Sequence, residues 1–116
     1  MFATKIVLLT AALVAIPVAA VTQADTATTL RSQYENCVYD AVGNQWIKAP
    51  KISSALAVET AFQMCATEEQ AIYSLLDGVN VPFPQAQATV VGIKLKLKGK
   101  VREIMEDPAG YKQRHQ

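Results

Sequence analysis

Two cysteines, Cys37 and Cys65, are the side chains whose chemistry the sequence constrains most. A metal site needs three or four ligands at recognisable spacing, and the one histidine, His115, lies near the end of the chain. A catalytic thiol needs a basic partner, which neither cysteine has nearby in sequence, and a CxxC redox motif is absent. An even number of cysteines in an exported chain indicates a disulfide. We therefore expect a structural Cys37–Cys65 bridge, with no metal and no cofactor.

The expectation of export comes from residues 1–24. Lys5 precedes an uninterrupted run from Ile6 to Ile16 of mostly apolar residues, and small residues follow. This is the layout of a secretory signal peptide, with cleavage after Ala20 or Ala24. The run is shorter than the roughly 20 apolar residues that span a membrane, although an uncleaved anchor stays an alternative. We expect a periplasmic or secreted protein, and the sequence does not choose between these two locations.

A basic segment, residues 94–102, is the main candidate for a binding surface. Residues 81–116 contain seven basic and three acidic side chains, whereas residues 25–80 contain three basic and seven acidic ones. The segment could contact an anionic membrane lipid or envelope polymer. Alternatively, its cations lie in water or in weak ion pairs, and their spread around a helix favours this second interpretation. The candidate residues are Lys94, Lys96, Lys98, Lys100 and Arg102.

Glu69 interrupts an apolar seam. Among the carboxylates, it is the best candidate for a catalytic acid or base. A buried carboxyl could have a raised pKa, but an interfacial acid that bonds to Tyr34 or Arg31 is the simpler interpretation. The sequence contains no phosphate-binding loop, dinucleotide fingerprint, nucleophile elbow or zinc motif. We therefore expect a protein that is not an enzyme.

Composition narrows the function class further. The 116 residues are 51% hydrophobic and 18% charged, which excludes a disordered chain. A formal charge of +1 excludes a strongly basic nucleic-acid binder. We expect a non-enzymatic binding or structural protein of the cell envelope, whose partner is an unidentified protein or envelope component. The alternative is a binder of anionic lipid or polymer, with weak peripheral membrane contact. The oligomeric state stays open.

Two helices must position the cysteines. Apolar residues at three- and four-residue spacing predict a first helix over residues 28–48, capped by Thr26 or Thr28. A heptad-like seam predicts a second helix from Ser53 or Ser54 to Asp77, with Gly78 as the left-handed residue at its end. Between them, Ala49-Pro50-Lys51 predicts a turn.

The heights of the cysteines support an antiparallel hairpin. Each cysteine lies roughly 17 Å from the turn at 1.5 Å rise per residue, so the two sulfur atoms meet at the same level. The same register predicts which other side chains face each other. The pairs are Ala41 with Phe62, Gln45 with Val58, Leu30 with Ile72, and Tyr34 near Glu69.

The remaining segment, residues 85–107, is the most ambiguous. VGIKLKLKGK alternates like a strand, but the longer pattern places one apolar stripe within about 80° of a helix and leaves Val91 and Leu95 outside it. We expect a helix here.

The predicted fold is therefore all-α: a disulfide-stapled antiparallel helical hairpin with a third helix packed against it, after a signal peptide. The domain covers residues 25–110, and a solvated tail covers 111–116. The predicted stripe is Ala86, Val90, Ile93, Leu97, Val101 and Ile104; Trp46, Phe62, Tyr73 and Phe83 are expected in the core.

Overall fold

All regular structure in the described part of the chain is helical. The computed structural model describes residues 11–115, with side chains from residue 25 onward. This range contains five helices and no strand, which confirms the predicted all-α class there. The helices are α1 (Ala11–Lys48), α2 (Ser54–Met64), α3 (Ala66–Gly78), α4 (Phe83–Glu106) and α5 (Pro108–Arg114).

The predicted signal peptide falls partly outside the described residues. Residues 1–10 lie outside them, and for residues 11–24 only the helical backbone is described. Export and the cleavage position therefore stay predictions. Within residues 11–115, no helix combines the length and the apolar composition that a membrane crossing requires.

The first helix is longer than its sequence pattern predicts. It already includes Ala11, the first described residue, instead of starting near residue 28, so neither Thr26 nor Thr28 is its N-cap. No glycine or proline occurs between residues 18 and 42, and nothing in that stretch therefore stops a helix. The helix ends at Lys48, as predicted, because Ala49 precedes a proline.

The disulfide joins α1 to the junction between α2 and α3. Cys37 and Cys65 are bonded, with their Cα atoms 6.0 Å apart, which confirms the predicted pair. On one side of it, the Tyr34 hydroxyl donates to Glu69 Oε1 at 3.3 Å, as the sequence register predicts. On the other side, the Gln45 side-chain amide donates to the Ala57 carbonyl at 2.9 Å, one residue from its expected partner. Both α2 and α3 pack on α1 and on α4.

The predicted second helix is divided at Cys65. This residue has φ −102° and ψ 25°, so α2 ends at Met64 and α3 begins at Ala66. The direction of the chain is kept, since the Cys65 amide still donates to Ala61 and the Cys65 carbonyl accepts from Glu69. A straight helix drifts by about 20° per heptad relative to a 3.5-residue seam. With the break at Cys65, α2 and α3 both pack on α1.

The helix ends are set by local capping. Ser53 is the N-cap of α2, because its side chain accepts from the Leu56 amide at 3.1 Å. At the end of α3, the left-handed residue is Asn80, with φ 66°, so the expectation for Gly78 is wrong. Asparagine tolerates this conformation, and it allows the Val81 amide to bond to the Leu76 carbonyl at 2.9 Å.

The segment that was ambiguous in sequence is the long helix α4. Its buried residues are five of the six predicted ones, Ala86, Val90, Ile93, Leu97 and Val101. Ile104 is only partly buried. Val91 and Leu95 are 46% and 62% exposed, as the helical pattern predicts and a strand pattern does not. Residues 85–106 therefore belong to one amphipathic helix that packs against the core.

The aromatic residues divide between the core and the surface. Phe62 is 6% exposed and stacks on Tyr34, which is fully buried. Trp46 is half-buried beside Val101 of α4. Phe83 is 65% exposed, so its expected place in the core is wrong. It is the first residue of α4, beyond the end of α3, and it stacks only on the half-buried Tyr73 ring at 5.8 Å.

The expected solvated tail contains a short helix. Pro108–Arg114 form α5, which is capped by the Asp107 side chain accepting from the Gly110 amide at 3.1 Å. The Arg114 guanidinium forms an ion pair with Glu103 of α4, with Nη2 and Oε2 2.6 Å apart. The helix is held on α4 by this exposed pair, and it buries no residue.

Removal of the disulfide by the paired substitution Cys37→Ser and Cys65→Ser should lower the free energy of unfolding by about 3.5 kcal/mol. The loss arises because a loop closed across a sequence separation of 28 restricts the unfolded chain. Urea unfolding of the variant and of the oxidised protein measures the difference. Two free thiols in the purified native protein would contradict the bridge itself.

Phe62→Ala should lower the free energy of unfolding by about 3 kcal/mol or more, because it opens a cavity beside a fully buried tyrosine. Phe83→Ala is the matched control, since that ring is mostly exposed, and we expect it to cost less than about 1 kcal/mol. Equal effects of the two substitutions in urea unfolding would place Phe62 outside the core.

Candidate functional site

A polar junction formed by Tyr34, Glu69 and Lys94 joins α1, α3 and α4. Glu69 Oε1 accepts from the Tyr34 hydroxyl at 3.3 Å and forms an ion pair with Lys94 Nζ at 2.8 Å. Lys94 Nζ also lies 5.3 Å from the centre of the Phe62 ring. The carboxylate and the ammonium group both remain partly exposed. The junction therefore places one satisfied acid at the meeting point of three helices.

Burial changes the acidity of Tyr34. Loss of solvent around its hydroxyl raises the pKa of Tyr34 well above the usual value near 10, and the neighbouring Glu69 carboxylate raises it further. The phenol therefore stays protonated and serves as a hydrogen-bond donor. A donor fixed in this way fits a structural role for the junction better than proton transfer near neutral pH.

The sequence predicts one of the two partners of Glu69 and misses the other. Tyr34 is the expected partner, whereas Arg31 pairs with Glu35 of its own helix at 3.1 Å. Lys94 was missed because the sequence does not give the register of α4 against the other helices. Its four-residue spacing from Val90, a buried residue, is the signal that places it near the core edge.

The structure does not gather the five predicted cations on one surface. Lys94 lies in the polar junction, and Lys98 pairs with Glu59 of α2 at 2.8 Å. Lys100 Nζ lies 5.8 Å from the centre of the Tyr111 ring. The remaining two separate as well, because Lys96 borders a groove against α1 and α3, while Arg102 borders a depression against α2.

One stripe of α4 combines exposed apolar and basic side chains. Its members, at intervals of four, three and four residues, fall within about 60° of the helix circumference. Three of them border the depression between α4 and α2. We call this stripe the outer face of α4; it consists of Val91, Leu95, Lys98 and Arg102.

A concave groove of about 460 Å³ lies between α1, α3 and α4. Ile72 and Ile93 form its floor and are each less than a tenth exposed. Arg31 and Lys96 stand at its edge. This volume lies within the range of small-molecule sites. Sequence reasoning missed the groove, because it depends on where three separate helices diverge.

A cluster of metal-ligating atoms occurs beside the disulfide, where the Cys37 and Cys65 sulfur atoms and a Glu68 oxygen lie within 4.8 Å of one another. The two sulfur atoms are bonded to each other, and thiolates are the form that binds metal. The oxidised protein therefore has only one carboxylate to offer there.

Tyr34→Phe should reduce the loss of stability at high pH. A hydroxyl whose pKa is raised on folding contributes stability that is fully present below about pH 10 and is lost as pH rises toward the folded-state pKa. Urea unfolding between about pH 8 and 11 measures this loss. Tyr73→Phe is the control and should follow the parent protein. A parent and a Tyr34→Phe variant with parallel profiles would contradict the assigned role of Tyr34.

Comparison of the chain with models of known protein families, with curated proteins and with solved structures finds no match. A proposal about function therefore has to be argued from the residues and the geometry of this chain. The structure brings together a polar junction, a partly basic outer face of α4 and an apolar groove.

Proposed function

We propose that this chain is a non-enzymatic binding protein of the cell envelope that rests against an anionic phospholipid membrane through the outer face of α4. The observation that carries the proposal is the pairing of exposed apolar and basic side chains on that face. Leu95 is 62% exposed and Val91 46% exposed. Leu95 borders the same depression as Lys98 and Arg102. Apolar residues next to lysine and arginine are the composition of helices that lie in the membrane interface.

The cations of the outer face can be exchanged onto lipid phosphates. Lys98 and Glu59 are each about half exposed, and such a pair is worth about 1 kcal/mol or less. Arg102 has no ion pair within residues 25–115. Each basic side chain near an anionic surface contributes about 1 kcal/mol. Two such side chains and two apolar ones support a weak, reversible contact.

The distribution of charge orients the protein. The part of the chain from residue 81 onward has an excess of four basic side chains, and residues 25–80 have an equal excess of acidic ones. An anionic surface attracts the first part and repels the second, within a Debye length of about 10 Å at 0.1 M salt. This polarity favours an approach with α4 toward the membrane.

Exposed apolar side chains favour a membrane over a hydrophilic envelope polymer. A charged polymer attracts the lysines and Arg102, but it has no apolar phase for Leu95. A bilayer accommodates both kinds of side chain at its interface. Export is the remaining part of the proposal, and the disulfide supports it because such bonds persist in oxidising compartments.

Leu95→Glu should weaken membrane binding about tenfold or more, since it removes an apolar contact and adds a charge that anionic lipid repels. Sedimentation with phosphatidylglycerol-containing vesicles at low ionic strength measures the bound fraction. Leu56→Glu is the matched control, because Leu56 is 58% exposed on α2 and does not line the depression beside α4. We expect this control to bind like the parent protein.

Salt and lipid composition complete the test. Binding should fall between low and physiological ionic strength, and vesicles of phosphatidylcholine alone should bind little. Absence of binding at every ionic strength would overturn the membrane proposal. Equal binding to charged and neutral vesicles, or equal loss in the Leu95→Glu and Leu56→Glu variants, would overturn the role of the outer face.

A further inference from the structure

The groove between α1, α3 and α4 is a second apolar surface, separate from the outer face of α4. It lies at the end of the helices away from the turn at residues 49–53. Leu30 and Leu76 form walls above the isoleucine floor. This concavity of about 460 Å³ is open on one side and can cover part of a small ligand.

Small side chains keep the groove open. Ala27 and Thr28 of α1 and Thr89 of α4 line it, where the layer nearer the disulfide is filled by Tyr34 and Phe62. Gly92 lies at the centre of the α4 side, and a Cβ atom added there would meet nothing within 4 Å. The space therefore results from the residue sizes in one layer of the helix packing.

The charges at the edge of the groove have one sign. Among residues 25–115, the charged residues that line it are Arg31 and Lys96, and no acidic side chain does so. Lys96 has no ion pair within residues 25–115, while the Arg31 pair with Glu35 is exposed. A ligand with an apolar body and an anionic head would satisfy both the floor and the edge.

We propose that this groove binds a single-chain anionic amphiphile, with the chain against Ile72 and Ile93 and the carboxylate beside Lys96 and Arg31. A second copy of the protein fits less well. A two-fold contact centred on the groove would bring these cations toward their own copies, and like charges repel. The proposal does not depend on membrane docking, because the two surfaces share no residue.

Binding of 11-(dansylamino)undecanoic acid, followed by its fluorescence, tests the site in the purified full-length protein. Laurate below its micelle concentration should displace the probe, and affinity should rise about three- to fourfold for each added methylene until the groove is filled. Dodecanol should compete more weakly than laurate, and dodecyltrimethylammonium least. No saturable binding of the probe, or preference for the cationic competitor, would overturn the proposal.

Gly92→Leu is the decisive variant, because it fills the groove from a position with open space above it. We expect at least a tenfold loss of probe affinity. Leucine is a better helix former than glycine, so the urea midpoint should not fall. Gly99→Leu is the matched control: it lies one heptad later in α4, is equally open, and borders the depression against α2 instead. It should bind the probe like the parent protein.

Lys96→Gln tests the anionic head, with Lys112→Gln of α5 as its control. Laurate affinity should fall about three- to fivefold in the first variant only, and dodecanol affinity should stay unchanged in both.

Retained binding in Gly92→Leu would overturn the placement of the chain. Unchanged laurate affinity in Lys96→Gln would overturn the placement of the head. Concentration-dependent dimers that Gly92→Leu abolishes would assign the groove to self-association instead. The Leu95→Glu variant should bind the probe normally, so failure of membrane docking and failure of the groove are distinguishable.

Discussion

The Cys37–Cys65 bond is the one covalent constraint on how the helices of the described chain pack. It connects the middle of α1 to the residue at which α2 ends and α3 begins. A small domain buries a modest apolar core, and a covalent link adds to its stability by restricting the unfolded chain. The link also fixes one height on both helical segments. Tyr34 and Glu69 are thereby brought level on one side of it, and Gln45 and Ala57 on the other.

Two ion pairs connect α4 to α2 and α3. Lys94 and Lys98 are one turn apart and reach Glu69 on α3 and Glu59 on α2. Each pair is partly exposed and contributes little free energy, so burial of the apolar stripe supplies most of the stability. The same stripe defines the rotation of α4 about its axis, and both ion pairs are compatible with that rotation. That rotation directs Lys96 toward the groove and Leu95 toward the outside.

The sequence determined those features that depend on one helix at a time. The stripe of α4, the cap at Ser53 and the end of α1 follow from spacing, hydrogen-bonding side chains and the proline rule. Features that need several segments were missed, including the Lys94–Glu69 pair and the groove. The Cys65 break and the exposure of Phe83 also depend on where neighbouring helices end or diverge. The predicted leader is in a separate category, because residues 1–10 lie outside the described residues and only the backbone of residues 11–24 is described.

The two glycines of α4, Gly92 and Gly99, lower the stability of the helix. Each costs up to about 1 kcal/mol relative to alanine, and neither is needed for close packing, since both face open space. They are one heptad apart, and each borders a concavity: Gly92 the groove, and Gly99 the depression beside α2. An alanine at either position would stabilise the helix without a clash. Their presence is therefore better explained by the concave surfaces that they keep open than by the packing of the fold.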